Sequence, residues 1–185
     1  ERQAAESLAL DSAQQDALTG LPNRRHFVEE LDDRLALGRR TGTPFALLYI
    51  DLNRFKPIND VHGHAVGDQT LQSVAARLRA FVGQDNFCAR LGGDEFAVIL
   101  MGVGDDSSLQ AHMQALVQSL NEPMVLNGLR FTVGASIGAA IYPEDGTTAD
   151  DLLQRSDAAM LRAKADGCEC LRYDMRMDQE LRRKA

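Results

Sequence analysis

Two adjacent carboxylates lie in a short segment between two stretches of strand length. Asp94 and Glu95 follow Gly92 and Gly93, and the apolar run at residues 96–100 comes directly after them. This order predicts a β-hairpin whose glycines let a ligand approach the backbone closely. Carboxylate oxygens are ligands that Mg²⁺ prefers, so the tip suits a magnesium-nucleotide site. An ordinary solvated Asp-Glu turn is the alternative that these residues alone leave open.

A second polar segment follows the continuous apolar run at residues 45–50, which predicts a strand buried on both faces. That strand ends at Asp51, and a polar connection through residues 51–68 leads to a helix predicted over residues 68–82. Polar residues at the end of a buried strand are typical of sites in α/β proteins. A surface loop in which Asp68 only stabilises the helix N-terminus is the simpler alternative.

The other elements alternate between helices and strands. Asn23 is expected to cap the first helix, and the pair Asn127-Gly128 predicts a hairpin whose second arm continues through residues 132–141. The fold class is therefore an α/β (α+β) sandwich, with a mixed, mainly antiparallel central sheet flanked by helices. The remaining predicted elements are helices at 24–40, 108–121 and 149–165, the hairpin at 124–131 and a last strand at 170–173.

Composition narrows the classes of function. The 185 residues fit one domain, and the net charge of −7 argues against nucleic-acid binding through phosphates. No apolar run approaches the roughly 18 residues of a membrane span, so no membrane contact is expected. The three cysteines have no framework spacing, which indicates a reducing, cytoplasmic compartment. Cys168 and Cys170 are interpreted as two strand residues rather than as a pair of metal ligands.

The chain begins without Met, and both of its ends are polar and helix-prone. We therefore expect a piece of a longer protein. The expected segments are an N-terminal linker or signalling helix at 1–15, the domain at 16–173 and a C-terminal linker at 174–185.

Several separated motifs together resemble the GGDEF family of diguanylate cyclases over residues 16–173. The resemblance implies a fold similar to the palm of polymerases and to nucleotidyl cyclases, and it implies condensation of two GTP into cyclic di-GMP. The motifs are DALTGLPNRR, IDLNRFKPINDVHGHAVGD, RLGGDEF, Ser136-Ile137-Gly138, and Asp157-Ala158-Ala159-Met160 with Ala163-Lys164.

The resemblance also implies roles for single residues. Asp94 would assist deprotonation of the attacking 3′-hydroxyl, and Lys56 would stabilise charge on the phosphates. Two Mg²⁺ per GTP are expected, for which Mn²⁺ could substitute. The implied metal ligands are Asp51, the backbone carbonyl of Leu52, Asp94 and Glu95. The implied substrate contacts are Asn59 and Asp68 on guanine, His64 close by, the backbone of Gly92 and Gly93, and Lys164 on the triphosphate.

The chain departs from the family pattern at two places that bear on function. Residues 83–86 replace the Arg-x-x-Asp site for product, so feedback inhibition there is not expected. Gly167-Cys168-Glu169 replaces Gly-Arg-Asn, which predicts weaker GTP affinity because an acid stands near the phosphates. Asn53 stands where Asp is common, a mild change. Asp16 with Arg24 or Arg25 is interpreted as a structural ion pair or cap.

Two functions from different classes follow from the resemblance. The first is an active cyclase that works as a homodimer, because each domain holds one GTP. The alternative is a weak or inactive GTP-binding module that regulates an adjacent phosphodiesterase (EAL) domain, since the tail from Asp174 resembles the linker to such a domain. A receptor for cyclic di-GMP alone is disfavoured by the missing Arg-x-x-Asp.

Overall fold

The architecture is known from a computed structural model that describes residues 13–177. Most of the predicted N-terminal linker, and residues 178–185 of the C-terminal one, lie outside the described residues. The elements in chain order are α1 (Arg24–Thr41), β1 (Phe45–Leu52), α2 (Phe55–His62), α3 (His64–Val82), β2 (Phe87–Gly92), β3 (Glu95–Met101), α4 (Asp106–Asn121), β4 (Met124–Leu126), β5 (Leu129–Phe131), β6 (Ala135–Tyr142), α5 (Ala149–Asp166) and β7 (Cys170–Arg172).

Five strands form the central sheet, in the order β2-β3-β1-β6-β7. Neighbouring strands run antiparallel except β6 and β7, which are parallel. β4 and β5 form a separate two-stranded hairpin. The predicted fold class, a mainly antiparallel sheet flanked by helices, is confirmed.

β1 is the central strand, and every one of its residues is buried. Because side chains alternate along a strand, β1 contributes to two hydrophobic cores. Leu48 and Ile50 face the core shared with α3 and α4, whereas Leu47 and Tyr49 face the core shared with α1 and α5. The sheet is therefore covered on both faces, and polar ligands can reach β1 only where it ends.

The helix α5 lies unusually close to β6 at Gly138. A Cβ placed there would collide with backbone atoms of Met160 and Ser156 on α5. The Ser136-Ile137-Gly138 strand motif thus serves packing, because only glycine lets the helix approach this closely. Close approach fixes the position of α5 over the end of β1.

Several local predictions are confirmed. The Asn23 side chain accepts a hydrogen bond from the backbone N–H of His26 at 3.0 Å, which caps α1 as expected. Asn127 and Gly128 both have positive φ, of 52° and 76°, as a tight Asn-Gly turn requires. In the described part of the chain, no helix combines the length and the apolar character that a bilayer crossing requires.

The connection after β1 differs from the prediction. Residues 55–62 form the short helix α2, and α3 begins at His64, four residues before the expected start at Asp68. α2 was missed because Ile58 is its only buried residue, so no apolar periodicity marks it. Its Pro57 lies in the first turn, where the missing N–H does no harm.

The second arm of the 124–131 hairpin also ends earlier than expected. β5 stops at Phe131, and residues 132–134 leave the strand before β6 enters the central sheet at Ala135. Gly134 has a φ of 70°, a left-handed conformation that breaks an extended strand. The alternating pattern through residues 132–141 therefore belongs to two separate segments.

Candidate active site

Three acids meet at the end of β1 and the tip of the β2–β3 hairpin. Asp51 and Glu95 are register partners across β1 and β3. Asp94 lies in the tight turn before Glu95, and its backbone carbonyl accepts a hydrogen bond from the N–H of Leu52 at 3.2 Å. The structure thus brings together the two sequence segments that were expected to form one site. The functional roles of these residues remain predictions.

The two oxygens of Asp51 have different surroundings. Oδ2 accepts a hydrogen bond from the ammonium of Lys164 at 2.5 Å. Oδ1 is buried and has no hydrogen-bond partner in the described part of the chain. A buried carboxylate oxygen without a donor is costly, unless a cation compensates it. This orphaned oxygen is the observation that fits a divalent cation at the end of β1.

The carboxyl group of Asp94 faces that of Asp51. Burial raises the pKa of Asp94 first, the negative charge of Asp51 raises it further, and Lys164 lowers it in part. Two carboxylates repel each other when both are ionised. Mutual repulsion of this kind is relieved by a proton or by a metal ion.

Glu95 is held from the other side by Tyr49. The Tyr49 hydroxyl donates a hydrogen bond to Oε2 of Glu95 at 2.7 Å. Burial and the Glu95 carboxylate raise the pKa of Tyr49 well above its usual value, so the phenol stays protonated. Asp157 on α5 lies near: burial raises its pKa, the charges of Glu95 and Asp51 add to the rise, and Arg24 lowers it.

The acids alone do not make a complete metal site. Within residues 13–177, no group of three or more His, Cys, Asp or Glu side chains is placed to hold a metal ion. Mg²⁺ commonly keeps few protein ligands and takes its others from water and substrate phosphates. The residues present fit such an ion if Asp51, Glu95 and the carbonyl of Leu52 hold it together with a nucleotide.

Arg90 fastens the diglycine turn to the start of the domain. Its guanidinium donates to both carboxylate oxygens of Asp16, at 3.0 and 3.1 Å, and to the carbonyl of Gly93, at 3.0 and 2.8 Å. The predicted pairing of Asp16 with Arg24 or Arg25 is therefore wrong. The true partner is 74 residues away and could not be found from local spacing.

The residues expected to bind guanine (Asn59, His64 and Asp68), and Lys56, which is expected to act on the phosphates, lie on α2 and α3. Lys56, His64 and Asp68 are exposed, and their side chains make no hydrogen bond or ion pair with other described residues. Asn59 packs directly against Gly67, where an added Cβ would collide with its amide group. The structure thus leaves these polar groups available on the helices that follow β1.

The segment after α5 contains the unusual acid. Glu169 lines a cavity of about 330 Å³ with Asn53 and Arg54, and its carboxylate accepts a hydrogen bond from Asn121 at 3.4 Å. Asn53 in turn accepts a hydrogen bond from the Ser136 hydroxyl at 2.8 Å. β7 begins at Cys170, so the prediction that Cys168 belongs to a strand is wrong; Cys168 is exposed just after the C-cap Gly167.

Another cavity, of about 710 Å³, lies far along the sheet from these acids, beside β7. Its arginines are already engaged. Arg172 bonds to Asp145 and Glu144, and Arg155 donates to the Asp145 carbonyl and lies over the Tyr173 ring. The arginines of this cavity are therefore already bonded to neighbouring groups, whereas Asp51 at the end of β1 has a buried oxygen without a partner among the described residues.

A mainly antiparallel sheet with acids at the end of its central strand defines the class of domain, and comparison with known proteins defines the family. The family model described as "Diguanylate cyclase, GGDEF domain" matches residues 13–170. The chain belongs to the GGDEF domain family, as the resemblance implied. A solved structure of the GGDEF domain of TpbB (YfiN) from Pseudomonas aeruginosa superposes with a TM-score of 0.86 at 35% identity, covering 91% of this chain and 99% of that one.

Two curated relatives come from the same organism. The chain is 40% identical over 152 residues to the bifunctional diguanylate cyclase/cyclic di-GMP phosphodiesterase MucR, covering 82% of this chain and 22% of MucR. It is 35% identical over 181 residues to the cyclic di-GMP phosphodiesterase NbdA, covering 92% of this chain and 23% of NbdA. The chain thus spans less than a quarter of the length of these two relatives.

Proposed function

We propose that this domain is a diguanylate cyclase that condenses two GTP into cyclic di-GMP and two diphosphates. The observation that carries the proposal is the meeting of Asp51, Asp94 and Glu95 at one end of the sheet, with a buried oxygen of Asp51 that receives no hydrogen bond from any described residue. Family membership supports the same chemistry. The relative MucR is named as a diguanylate cyclase as well as a phosphodiesterase.

The chain's own residues divide the work. Asp51, the carbonyl of Leu52, Asp94 and Glu95 would hold two Mg²⁺, or Mn²⁺ in their place. When bound, these ions supply charge for the α-phosphate and lower the pKa of the attacking hydroxyl. Asp94, the residue next to Glu95 in the turn, would also assist deprotonation of that hydroxyl.

Basic and polar side chains around the acids would hold the nucleotide. Lys164 and Lys56 would neutralise the triphosphate. Asn59 and Asp68, with His64 close by, would bind guanine. A carboxylate that accepts hydrogen bonds from the N–H groups of guanine would have no such donors opposite it if adenine were bound, so adenine would be rejected. The bare backbone of Gly92 and Gly93 would lie against the nucleotide. One domain would hold one GTP, so synthesis requires two domains face to face.

The decisive experiment is product formation by the purified domain with GTP and Mg²⁺. Asp94→Asn should reduce the rate at least about 100-fold, because a positioned general base contributes about 10²–10⁴-fold. Asp33→Asn is the matched control, since Asp33 is an exposed acid on α1 remote from the hairpin. The rate should rise more than linearly with protein concentration. An unreactive wild type, or an Asp94→Asn variant as active as Asp33→Asn, refutes the proposal.

The second candidate function is a GTP-binding module that regulates an adjoining EAL domain without making product. Two features favour it: Lys164 is engaged by Asp51, and Cys168 replaces the second basic residue expected near the phosphates, with the acid Glu169 beside it. NbdA, which matches along most of this chain, is named as a phosphodiesterase only. Saturable binding of Mg²⁺-GTP without cyclic di-GMP production would support this function over the first.

The cellular setting follows from the same proposal. GTP is a cytoplasmic substrate, and none of the cysteines Cys88, Cys168 and Cys170 forms a disulfide. Free cysteines suit a reducing compartment. We therefore place the domain on the cytoplasmic side of its parent protein.

A further inference from the structure

The hydroxyl of Tyr49 reaches into the acidic site from the apolar part of β1. Tyr49 lies two residues before Asp51, so both side chains project from the same face of the strand. Its ring is 6% exposed and belongs to the core shared with α1 and α5. Only its hydroxyl touches the site, by donating to Oε2 of Glu95 at 2.7 Å.

The strand register shows how this hydrogen bond turns the carboxylate of Glu95. Glu95 is opposite Asp51, whereas Tyr49 is opposite Ala97. The Glu95 side chain therefore meets its diagonal neighbour on β1, a contact that long side chains make across a sheet. One carboxylate oxygen is tied down, and no described residue donates a hydrogen bond to the other oxygen, Oε1. Oε1 is therefore the oxygen more available to a cation, because the hydrogen bond from Tyr49 already occupies one of the two acceptor positions of Oε2.

We propose that Tyr49 is a positioning residue that makes Glu95 a one-oxygen ligand and so makes the site select Mg²⁺ over Ca²⁺. The inference rests on the proposed magnesium-GTP site. Mg²⁺ takes six ligands in near-ideal octahedral geometry, whereas Ca²⁺ takes six to eight and often binds both oxygens of one carboxylate. A carboxylate with one oxygen engaged by a phenol suits one-oxygen binding of Mg²⁺ and weakens the two-oxygen contact that Ca²⁺ often makes.

A tyrosine can be buried in this sheet without a hydrogen bond to its hydroxyl, as a second tyrosine shows. Tyr142 on β6 is 7% exposed, close to the value for Tyr49, and its ring stacks on Phe45. No described residue forms a hydrogen bond with the Tyr142 hydroxyl. A tyrosine can therefore pack in the same core without a carboxylate partner, and Tyr142→Phe is a matched control for Tyr49→Phe.

The test measures metal preference directly and needs no turnover. Mg²⁺ and Ca²⁺ are titrated calorimetrically into the wild-type domain in the presence of guanosine 5′-[α,β-methylene]triphosphate, which cannot be condensed. Tyr49→Phe should narrow the ratio of the Ca²⁺ to the Mg²⁺ dissociation constant by about tenfold, the usual scale for outer-sphere partners of metal ligands. Tyr142→Phe should leave that ratio unchanged.

The outcomes separate this inference from the proposed function. If the wild type binds Mg²⁺ and nucleotide but Tyr49→Phe has the wild-type ratio, the role of Tyr49 is refuted and the magnesium-GTP site stands. If the wild type binds neither metal with the nucleotide, the proposed function falls and the inference falls with it. A general loss of stability would weaken binding of both metals equally and leave their ratio unchanged, which also counts against the inference.

A second measurement on the wild type decides the matter if Tyr49→Phe does not fold. One-oxygen and two-oxygen binding of a carboxylate differ in the separation of its asymmetric and symmetric stretching bands. Infrared difference spectra with and without Mg²⁺, with the Glu95 bands assigned through Glu95→Gln, should show the wide separation of one-oxygen binding. The narrow separation of two-oxygen binding would overturn the inference.

Discussion

Replacing Arg90 by Met tests whether the site hairpin is held by the start of the domain. Arg90 joins Asp16 to the carbonyl of Gly93 through four hydrogen bonds between 2.8 and 3.1 Å. Met keeps much of the length and apolar contact of the side chain but removes every donor. The variant should lose stability, and it should also lose activity because the turn that carries Asp94 is released.

The expected loss of stability is intermediate between two familiar cases. Exposed ion pairs contribute about 0.2–1 kcal/mol, whereas breaking a fully buried pair costs about 3–5 kcal/mol. The side chains of Arg90 and Asp16 are 14% and 21% exposed, and Asp16 keeps its hydrogen bonds from Thr19. We therefore expect Arg90→Met to lower the free energy of unfolding by about 2–3 kcal/mol. For a domain of this size, that loss lowers the melting temperature by about 4–12 °C.

The assay is urea unfolding of a double-mutant cycle with Arg90→Met and Asp16→Asn. The coupling free energy should be about 1–2 kcal/mol at neutral pH, since the contact to Gly93 is not part of it. Arg25→Met is the control. Arg25 was one of the two partners expected from the sequence, beside Arg24. Its side chain is 76% exposed and lies 3.7 Å from Glu29, so Arg25→Met should lower the free energy of unfolding by less than about 0.5 kcal/mol.

The pH dependence of this coupling follows from the pKa of Asp16. Burial alone would raise that pKa, but hydrogen bonds from Thr19 and Arg90 outweigh burial and lower it below its usual value of 3.8. A carboxyl whose pKa is lowered in the folded state stabilises the fold above its unfolded pKa, and this contribution is lost as the pH falls through the folded pKa. The coupling free energy between Arg90 and Asp16 should therefore be constant above pH 3.8 and decline below that pH. Equal losses for Arg90→Met and Arg25→Met, or no coupling with Asp16→Asn, would refute the reasoning.

Two further predictions concern α5. Gly138→Ala should cost about 1–3 kcal/mol in urea unfolding and weaken binding of GTP, because the new Cβ displaces the helix that carries Lys164; a variant with wild-type stability would contradict the close approach of helix and strand. Asp157→Asn should raise the melting temperature at neutral pH. Burial and the charges of Glu95 and Asp51 raise the pKa of Asp157 in the folded state, so ionisation of Asp157 lowers the stability of the fold as the pH rises from 3.8 through the folded pKa. That gain should vanish below pH 3.8, and a gain that does not change with pH would show that charge is not its cause.

Patterns confined to a few residues predicted much of this fold. The apolar run of β1, the Asn-Gly turn and the cap at Asn23 each depend on neighbours in the chain, and each is present in the structure. The short helix α2 was missed because it buries one residue and so lacks the periodicity by which helices are detected. The end of β5 was missed because Gly134 stands within an otherwise regular alternation.

That Asp51, Asp94 and Glu95 lie together was predictable from the sequence, because acids at the ends of apolar strands are conspicuous; their functional roles stay predictions. The residues that hold these acids in place were not predictable. Tyr49 was not found, because within an apolar run it is indistinguishable from a core residue until the register places Glu95 beside it. Arg90 likewise stood in a recognised motif, but its partner could be identified only from the tertiary structure.

The bond between Lys164 and Asp51 gives the site a counter-ion of its own. A free cation that approaches Asp51 finds one oxygen already neutralised by an ammonium 44% exposed to solvent. In the proposed complex with GTP, the triphosphate would offer Lys164 a more highly charged partner, and the accompanying divalent cation would take the place of the lysine beside Asp51. The Lys164–Asp51 pair thus predicts that the nucleotide and the divalent cation bind together more tightly than either binds alone.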